Sequence, residues 1–215
     1  MGKTQKIGNA TIMNIDCMEY MKTLPDKYFD LALTDPPYNV GRKYNKHNDN
    51  MVDYKLWCKD WFDELKRVSN TIVMTVGTKN LKQWILETPK HVVIWHKPAQ
   101  CSPSPLGGFN AYEPILVWGK NHKRIGHDIF TTNGGLQADA AWHNCPKHLP
   151  SWEKILNMFI NSPARVFDPF MGSGTGAIAC NNLGFEFFGC ELDEDYYNAA
   201  CERIAQHARQ QRLFA

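Results

Sequence analysis

A short apolar run leads into a group of glycines at Arg165-Val166-Phe167-Asp168-Pro169-Phe170-Met171-Gly172-Ser173-Gly174-Thr175-Gly176. The run predicts a buried β-strand, and the glycines predict a tight turn into a helix. Glycine has no β-carbon, so the backbone can approach a ligand closely, and the start of the helix offers free N–H groups. This strand, turn and helix predict a nucleotide-binding segment in a layered α/β fold.

Three interpretations of the glycine turn stay open on these residues alone. Gly172, Gly174 and Ala177 match the relaxed fingerprint of nicotinamide-dependent oxidoreductases. A phosphate-binding loop is disfavoured because Gly174-Thr175-Gly176 lacks the Gly-Lys-Ser/Thr sequence. A plain turn without a ligand is the third interpretation. Glu191 ends the next predicted strand, where doubly wound folds place a carboxylate that accepts hydrogen bonds from ribose hydroxyls.

Apolar runs alternate with segments of helical periodicity along the rest of the chain, which is typical of a doubly wound, mostly parallel sheet. The predicted strands cover residues 11–15, 29–34, 71–76, 91–95, 115–118, 165–167 and 185–190. The predicted helices cover residues 81–87, 152–160, 176–182 and 193–209, and another carries Tyr54, Trp57, Trp61, Leu65 and Val68 on one core-facing side. Residues 39–50 and 119–150 match neither pattern, so we predict long loops there.

Composition predicts one globular domain that spans residues 1–215, with a small irregular insertion at 119–150. Charged residues make up 21% and hydrophobic residues 43%, which disfavours extended disorder and a membrane protein. The sequence shows no spanning or leader-type apolar segment, so we expect a cytoplasmic location. Seven cysteines without a C-x-x-C pair are expected to be reduced, and a net charge of +2 neither requires nor excludes a nucleic-acid partner.

A second informative motif, Asp35-Pro36-Pro37-Tyr38, directly follows the predicted strand at 29–34. The two prolines restrict the backbone, so the motif predicts a stiff, extended turn. At the carboxyl end of a parallel strand, such a turn faces the crevice where α/β sheets bind ligands. A plain strand terminator is the alternative interpretation.

The residue types in this turn suit chemistry on an amine attached to an aromatic base. The lone pair of such an amine is delocalised into the ring, so catalysis must localise it on nitrogen. The Asp35 carboxylate and the Pro36 carbonyl can each accept one N–H of the amine. Tyr38 offers an aromatic face on which an extruded base can stack. We therefore predict that all four residues, Asp35, Pro36, Pro37 and Tyr38, are catalytic.

The two motifs, in this order, resemble the DNA amino-methyltransferases of bacteria and phages, which methylate N6 of adenine or N4 of cytosine. Placing the catalytic turn before the glycine turn resembles the β group of that family and differs from oxidoreductases, which begin with the glycine turn. Matches also occur at Ile15-Asp16-Cys17 and Glu113-Pro114-Ile115-Leu116-Val117-Trp118. The resemblance implies a Rossmann-like fold, S-adenosylmethionine as cofactor, and methyl transfer to an exocyclic amine in DNA.

The resemblance also implies a set of cofactor-binding residues, with Asp16 near the adenine of the cofactor. The full set is Asp16, Cys17, Asp35, Lys147, Asp168, Pro169, Phe170, Gly172, Ser173, Gly174, Thr175, Glu191 and Leu192. Lys147 aligns with the family's His-x-x-x-Lys-Pro stretch, although His148 replaces the proline. His143, Cys145 and His148 are an alternative metal site, but they lack a fourth ligand at fitting spacing, so we predict no metal.

A base buried in duplex DNA must leave the helix before its amine can react. Basic residues in the two predicted loops are candidates for contacts with DNA phosphates. The alternative is that both loops are simply exposed to solvent. The residues are Arg42, Lys43, Lys46, Lys120, Lys123 and Arg124. Residues 119–150 are the candidate target-recognition region. Because this region is short, we expect a short recognition site, relaxed specificity, or help from a homodimer partner or an accessory subunit.

Adenine N6 is the favoured target, since the family's N4-cytosine enzymes more often carry serine in place of Asp35. The alternatives are an N4-cytosine enzyme, an RNA or protein amide methyltransferase, and a non-catalytic DNA-binding relative. A C5-cytosine enzyme needs a cysteine nucleophile after proline, and the sequence has only the reversed Cys145-Pro146.

Overall fold

The computed structural model describes residues 2–39, 41, 51–99, 102–104, 106–120, 123, 125–132, 138–143 and 146–214. The strands are β1 (Thr4–Ile7), β2 (Ala10–Met13), β3 (Phe29–Thr34), β4 (Ser69–Thr75), β5 (His91–His96), β6 (Ser102–Pro103), β7 (Phe109–Asn110), β8 (Tyr112–Gly119), β9 (Ile129–Thr131), β10 (Arg165–Asp168) and β11 (Glu186–Cys190). The helices are α1 (Cys17–Met21), α2 (Tyr54–Val68), α3 (Gly77–Ile85), α4 (Leu149–Phe159), α5 (Thr175–Leu183) and α6 (Glu194–Phe214), with a 3-10 turn at Ala138–Ala140.

Nine strands form one sheet in the order β1-β2-β11-β10-β3-β4-β8-β5-β9. The five strands from β2 to β4 run parallel, and β9 runs parallel to β5, while β1 and β8 pair with their neighbours in the antiparallel sense. A parallel pair needs a crossover connection, which α2 provides from β3 to β4 and α5 from β10 to β11. The predicted α/β fold with a mostly parallel sheet is confirmed.

The direction of winding reverses between β10 and β3, which are adjacent in the centre of the sheet. From β10 the chain continues through α5 to β11 on one side, and from β3 it continues through α2 to β4 on the other. A crevice forms outside the carboxyl ends of the strands at such a switch point, and it is where open α/β sheets bind ligands. The glycine turn follows β10 and the Asp35 turn follows β3, so both enter this crevice.

Both faces of the sheet are covered by helices. Leu31 and Leu33 of β3 pack in a core shared with α4, α5 and α6, whereas Phe29 and Ala32 pack in a second core shared with α1, α2 and α3. Burial on both faces explains why β3 is an almost continuous apolar run rather than an alternating one. The predicted α2 stripe is buried as expected, except that Trp57 is only partly buried and faces the crevice.

The prediction that residues 119–150 are wholly irregular was wrong at β9. This strand pairs with β5, its central Phe130 is buried, and the indole nitrogen of Trp95 donates to the Thr132 hydroxyl at 2.6 Å. A strand of three residues is too short to produce a readable alternation of polar and apolar residues. Within the described ranges, the helices include none long and apolar enough to cross a membrane.

Candidate active site

A pocket of about 860 Å³ opens at the switch point. Nearly all of the predicted catalytic and cofactor residues line it: Asp16, Cys17, Asp35, Pro36, Pro37, Tyr38, Lys147, Asp168, Pro169, Phe170, Gly172, Ser173, Thr175, Glu191 and Leu192. Because the strand order places β10, β11 and β2 on one side of β3, and β4, β8 and β5 on the other, the pocket has two halves. The glycine turn lies in the first half, and the second half extends from Asp35 towards β5.

Gly172 and Gly174 have different roles, although both have a positive φ, of 52° and 75°. A β-carbon at Gly172 would lie 2.8 Å from His143 Nε2, so a side chain here would have to displace the His143 ring. Gly174 does not line the pocket, and a β-carbon there would lie 2.9 Å from Cδ1 of Ile204 in α6. The missing side chain of Gly174 lets α6 pack against the turn, and its contact with a cofactor stays a prediction.

Two carboxyl groups lie in the first half of the pocket, of which Asp168 is buried and Glu191 is partly buried. Glu191 accepts the backbone N–H groups of Gly172 and Asp193, each at 2.9 Å, and burial raises the pKa of Glu191 to about 7. Asp168 accepts the Thr34 hydroxyl at 2.7 Å and the Phe170 N–H at 3.0 Å, and burial raises the pKa of Asp168 to about 7. A carboxylate has about four lone-pair positions, so Glu191 can still accept a further donor.

Asp16 and Cys17 also line the pocket, at the carboxyl end of β2 beside β11. The Asp16 carboxylate caps α1 by accepting the Met18 N–H at 2.7 Å. Burial, followed by the negative charge of Asp16, raises the pKa of Cys17 to about 12. Cys17 is therefore a neutral, apolar wall residue and not a nucleophile.

The Asp35 turn is held from several sides. The hydroxyls of Tyr38 and Thr75 donate to Asp35 Oδ1, and Lys147 Nζ lies 2.8 Å from the same oxygen. The Tyr54 hydroxyl donates to the Pro37 carbonyl at 2.6 Å. Three donors on one oxygen fix the orientation of the carboxylate, which is the preorganisation that electrostatic catalysis needs.

Tyr38 has a second role besides the predicted stacking face. Its ring packs against Gly77, where a β-carbon would lie 3.1 Å from Tyr38 Cε2. Its hydroxyl has one proton to donate, which goes to Asp35, and the hydroxyl oxygen lies 3.2 Å from Glu113 Oε1, the alternative acceptor. Burial raises the pKa of Tyr38 well above 10, so the hydroxyl stays a donor between the two carboxylates.

Glu113, Lys97 and Thr75 are site residues absent from the predicted set. Glu113 is buried, pairs with Lys97, and has Oε1 at 3.2 Å from Lys147 Nζ. Burial opposes the ionisation of Glu113, but the two ammonium groups outweigh it and lower the pKa to about 2. Lys147 was predicted to bind cofactor, and here it bridges the two carboxylates. A lone carboxylate ahead of the apolar run at 114–118 was the available sequence signal for Glu113.

Arg203 of α6 is a further unpredicted residue, and it supports the glycine turn from behind. Its buried guanidinium donates to the Ser173 carbonyl and the Thr175 hydroxyl, both at 2.9 Å, and to Asp139 Oδ2 at 2.7 Å. These hydrogen bonds connect the glycine turn to the 3-10 turn that contains Asp139.

Among the described residues, no group of His, Cys, Asp and Glu is arranged to hold a metal ion. Cys145 lies outside the described residues.

Comparison with known proteins identifies the family. Residues 29–202 match the DNA methylase family of N6- and N4-methyltransferases. The chain belongs to this family. The methylase is 27% identical over 261 aligned residues to Type II methyltransferase M.HinfI of Haemophilus influenzae, which covers 91% of this chain and 68% of the relative. It is 23% identical over 246 residues to M.ScaI of Streptomyces caespitosus, with coverage of 90% and 81%.

Two solved structures share the fold of the methylase. The PvuII DNA methyltransferase, which is cytosine-N4-specific, aligns with a TM-score of 0.72 at 16% identity and covers 94% of this chain and 92% of its own. The complex of M1.HpyAVI with SAM aligns with a TM-score of 0.68 at 23% identity, with coverage of 91% and 98%. The predicted family and the Rossmann-like methyltransferase fold are confirmed.

The family uses S-adenosylmethionine, and the first half of the pocket of the methylase fits its adenosine part. Glu191 presents a carboxylate that suits ribose hydroxyls, and Asp16, which follows the neighbouring strand β2, also lines the pocket. The bare backbone at Gly172 and the start of α5 allow close approach of the ligand. These groups explain how the chain can hold this cofactor beside Asp35.

The predicted DNA-binding lysines lie far from the pocket of the methylase. Lys120 follows Gly119, which pairs with Thr71 near the start of β4, whereas Thr34, just before Asp35, pairs with Met74 near its end. Lys123 Nζ donates to the Asn157 carbonyl at 2.6 Å, near the end of α4, while the start of α4 lies at the pocket. Both lysines therefore lie away from the pocket, and their contacts with DNA phosphates stay a prediction. Arg42, Lys43, Lys46 and Arg124 lie outside the described residues.

Cofactor affinity should weaken as the pH falls from about 7 to 5, by up to about tenfold per pH unit if one carboxylate must be ionised. The physical reason is that Glu191, with a pKa of about 7, would accept ribose hydroxyls through its ionised form. The amino group of the cofactor stays protonated over this range and does not contribute. Calorimetry in two buffers of different ionisation enthalpy should detect proton release on binding. The Glu191→Gln variant should bind more weakly and with a flatter pH profile, and an unchanged profile would contradict the assignment.

Proposed function

We propose that the methylase transfers a methyl group from S-adenosylmethionine to N6 of adenine in DNA. The observation that carries the proposal is that the Asp35 turn and the glycine turn, which are distant in sequence, share one pocket at the switch point. This arrangement puts an amine-binding turn beside a nucleoside-binding turn. The bound cofactor would supply a methyl group activated by its positive sulfonium.

The residues of the second pocket half are assigned to the target base. Asp35 Oδ1 is held by Tyr38, Thr75 and Lys147, so we assign Oδ2 and the Pro36 carbonyl to the two N–H groups of the amine. These two acceptors would draw the nitrogen lone pair out of conjugation and direct it towards the first half of the pocket. Holding the amine in this orientation contributes through proximity, and Asp35 lies where the proton shed by the methylated nitrogen can be accepted.

Two features support DNA and adenine. Membership of the DNA methylase family supports a base in DNA, and the aspartate at position 35 favours adenine over cytosine. The cytosine-N4-specific PvuII enzyme has the same fold, so N4 of cytosine is the second candidate. Because the Tyr38 ring packs against Gly77 on one side and its hydroxyl lies between the two carboxylates, we expect the base to stack on the ring face turned away from Gly77. We assign target recognition to residues 119–150.

Mass spectrometry of nucleosides from DNA of cells that express the methylase tests the proposal. N6-methyladenine should appear with the wild type and be absent with Asp35→Ala expressed at the same level. N4-methylcytosine in its place would establish the second candidate. Purified protein that binds the cofactor but methylates no DNA would overturn the proposal, and competing RNA and protein acceptors in the same assay would reveal a different substrate class.

A further inference from the structure

A small β-hairpin projects beside the mouth of the pocket. β6 and β7 pair in the antiparallel sense, separately from the main sheet, and Pro103, Asn110 and the adjacent Tyr112 line the pocket. The hairpin has its own hydrogen bonds: the Ser104 N–H donates to the Gly108 carbonyl at 3.0 Å, and the Asn110 side chain donates to the Pro103 carbonyl at 2.9 Å. The hairpin is therefore a defined structure attached to the second, base-binding half of the pocket.

The hairpin presents large apolar side chains to solvent. Leu106 at the tip is 97% exposed, and Phe109 on β7 is 66% exposed. Gly107 and Gly108 follow Leu106 with φ of 81° and 75°, so the tip has a backbone that side-chain-bearing residues rarely adopt. A single exposed apolar residue is ordinary, but two within one short hairpin that borders a pocket indicate a contact surface.

The charge around the hairpin suits a polyanionic partner. Residues 97–112 contain one lysine and no aspartate or glutamate. Any duplex that delivers a base into the second pocket half must lie against the pocket mouth, next to this hairpin. A carboxylate-free apolar hairpin can approach the stacked bases there without repelling the phosphates. The acidic groups of the target side, Asp35 and Glu113, are instead engaged within the pocket.

We propose that this hairpin is a wedge that enters the DNA duplex, and that Leu106 and Phe109 occupy the space left by the extruded target base. A stacked base fills roughly 3.4 Å of helix length, about the thickness of an aliphatic or aromatic side chain. Apolar side chains inserted between base steps replace part of the lost stacking and hold the gap open. The role rests on the proposed function, because only an enzyme that acts on an extruded base needs such a wedge.

The test compares two DNA substrates that carry the same recognition sequence. That sequence is first determined from the DNA that the methylase modifies in cells. In one the target base is paired, and in the other it faces an abasic position and needs little energy to leave the stack. The double variant Leu106→Ala with Phe109→Ala should lose at least about tenfold in kcat/KM on the paired duplex, which corresponds to about 1.4 kcal/mol. On the abasic duplex it should retain nearly the wild-type value. Since both side chains are exposed, the melting temperature should not change.

Leu86→Ala is the matched control. Leu86 is 80% exposed at the end of α3, and the neighbouring Glu87 carbonyl accepts from Trp118, at the edge of the sheet opposite the pocket. This variant should behave as the wild type on both substrates. Equal losses by the double variant on the paired and abasic duplexes, or no loss on either, would overturn the wedge. A wild-type protein inactive on both would instead overturn the proposed function, and the wedge with it.

Discussion

Replacing Asp35 by alanine should lower kcat for DNA methylation by at least about 100-fold, the usual cost of removing one preorganised group that stabilises the transition state. Asp35 is held by three donors on Oδ1, so the wild-type carboxylate meets the amine already oriented. Without it, the amine loses one of its two acceptors and its lone pair stays delocalised. Single-turnover methylation under saturating cofactor and DNA measures the loss, and calorimetry should show a much smaller change in cofactor affinity.

Two further variants separate catalysis from charge and folding. Asp35→Asn keeps an oxygen acceptor at this position without the negative charge, so its loss should be smaller than that of Asp35→Ala. Asp60→Ala removes an exposed carboxylate from α2 and should retain wild-type activity. If Asp35→Ala methylated DNA within about threefold of the wild-type rate, the assignment of Asp35 to the amine would be wrong.

The sequence predicts those parts of the site whose functional residues are consecutive in the chain. The tetrapeptide at Asp35 and the glycine turn each carry their own backbone constraints, and each directly follows a buried strand. Strand β3 was predicted with its observed bounds, because an apolar run between polar residues defines both ends. Once β3 and β10 are recognised as parallel strands, their carboxyl ends must meet at one edge of the sheet.

The missed residues depend on pairings that no local pattern encodes. Glu113 reaches Asp35 because β8 runs antiparallel to β4, which brings the start of β8 to the carboxyl ends of the parallel strands. The same antiparallel pairing carries Lys120, at the end of β8, to the opposite edge. The charge of a residue was therefore readable from the sequence, but its side of the sheet was not. The hairpin of β6 and β7 was missed because strands of two residues show no periodicity.

The same network around Glu113 leads to the second large expected effect. Glu113→Gln should lower the free energy of unfolding by about 3 kcal/mol, because removing one partner of a buried ion pair leaves uncompensated charge behind. Glu113 lies between Lys97 and Lys147, and all three side chains are largely buried. Lys147 keeps Asp35 as a partner, so most of the loss should come from Lys97. Urea denaturation at pH 7 measures the change, and Lys97→Met in the Glu113→Gln background should recover part of it.

The pH dependence of this loss distinguishes an ionic network from simple packing. The pKa of Glu113 is lowered from 4.5 to about 2 in the folded chain, so its ionic contribution is complete above pH 4.5 and is lost as the pH falls towards 2. The stability difference between the wild type and Glu113→Gln should therefore shrink below pH 4.5. Asp63→Asn, which breaks the exposed pairs with Lys59 and Lys66, should cost little at any pH. If the stability difference between the wild type and Glu113→Gln did not change with pH, Glu113 would stabilise the fold through its shape. The charge of Glu113 would then not be needed to stabilise Lys97 and Lys147.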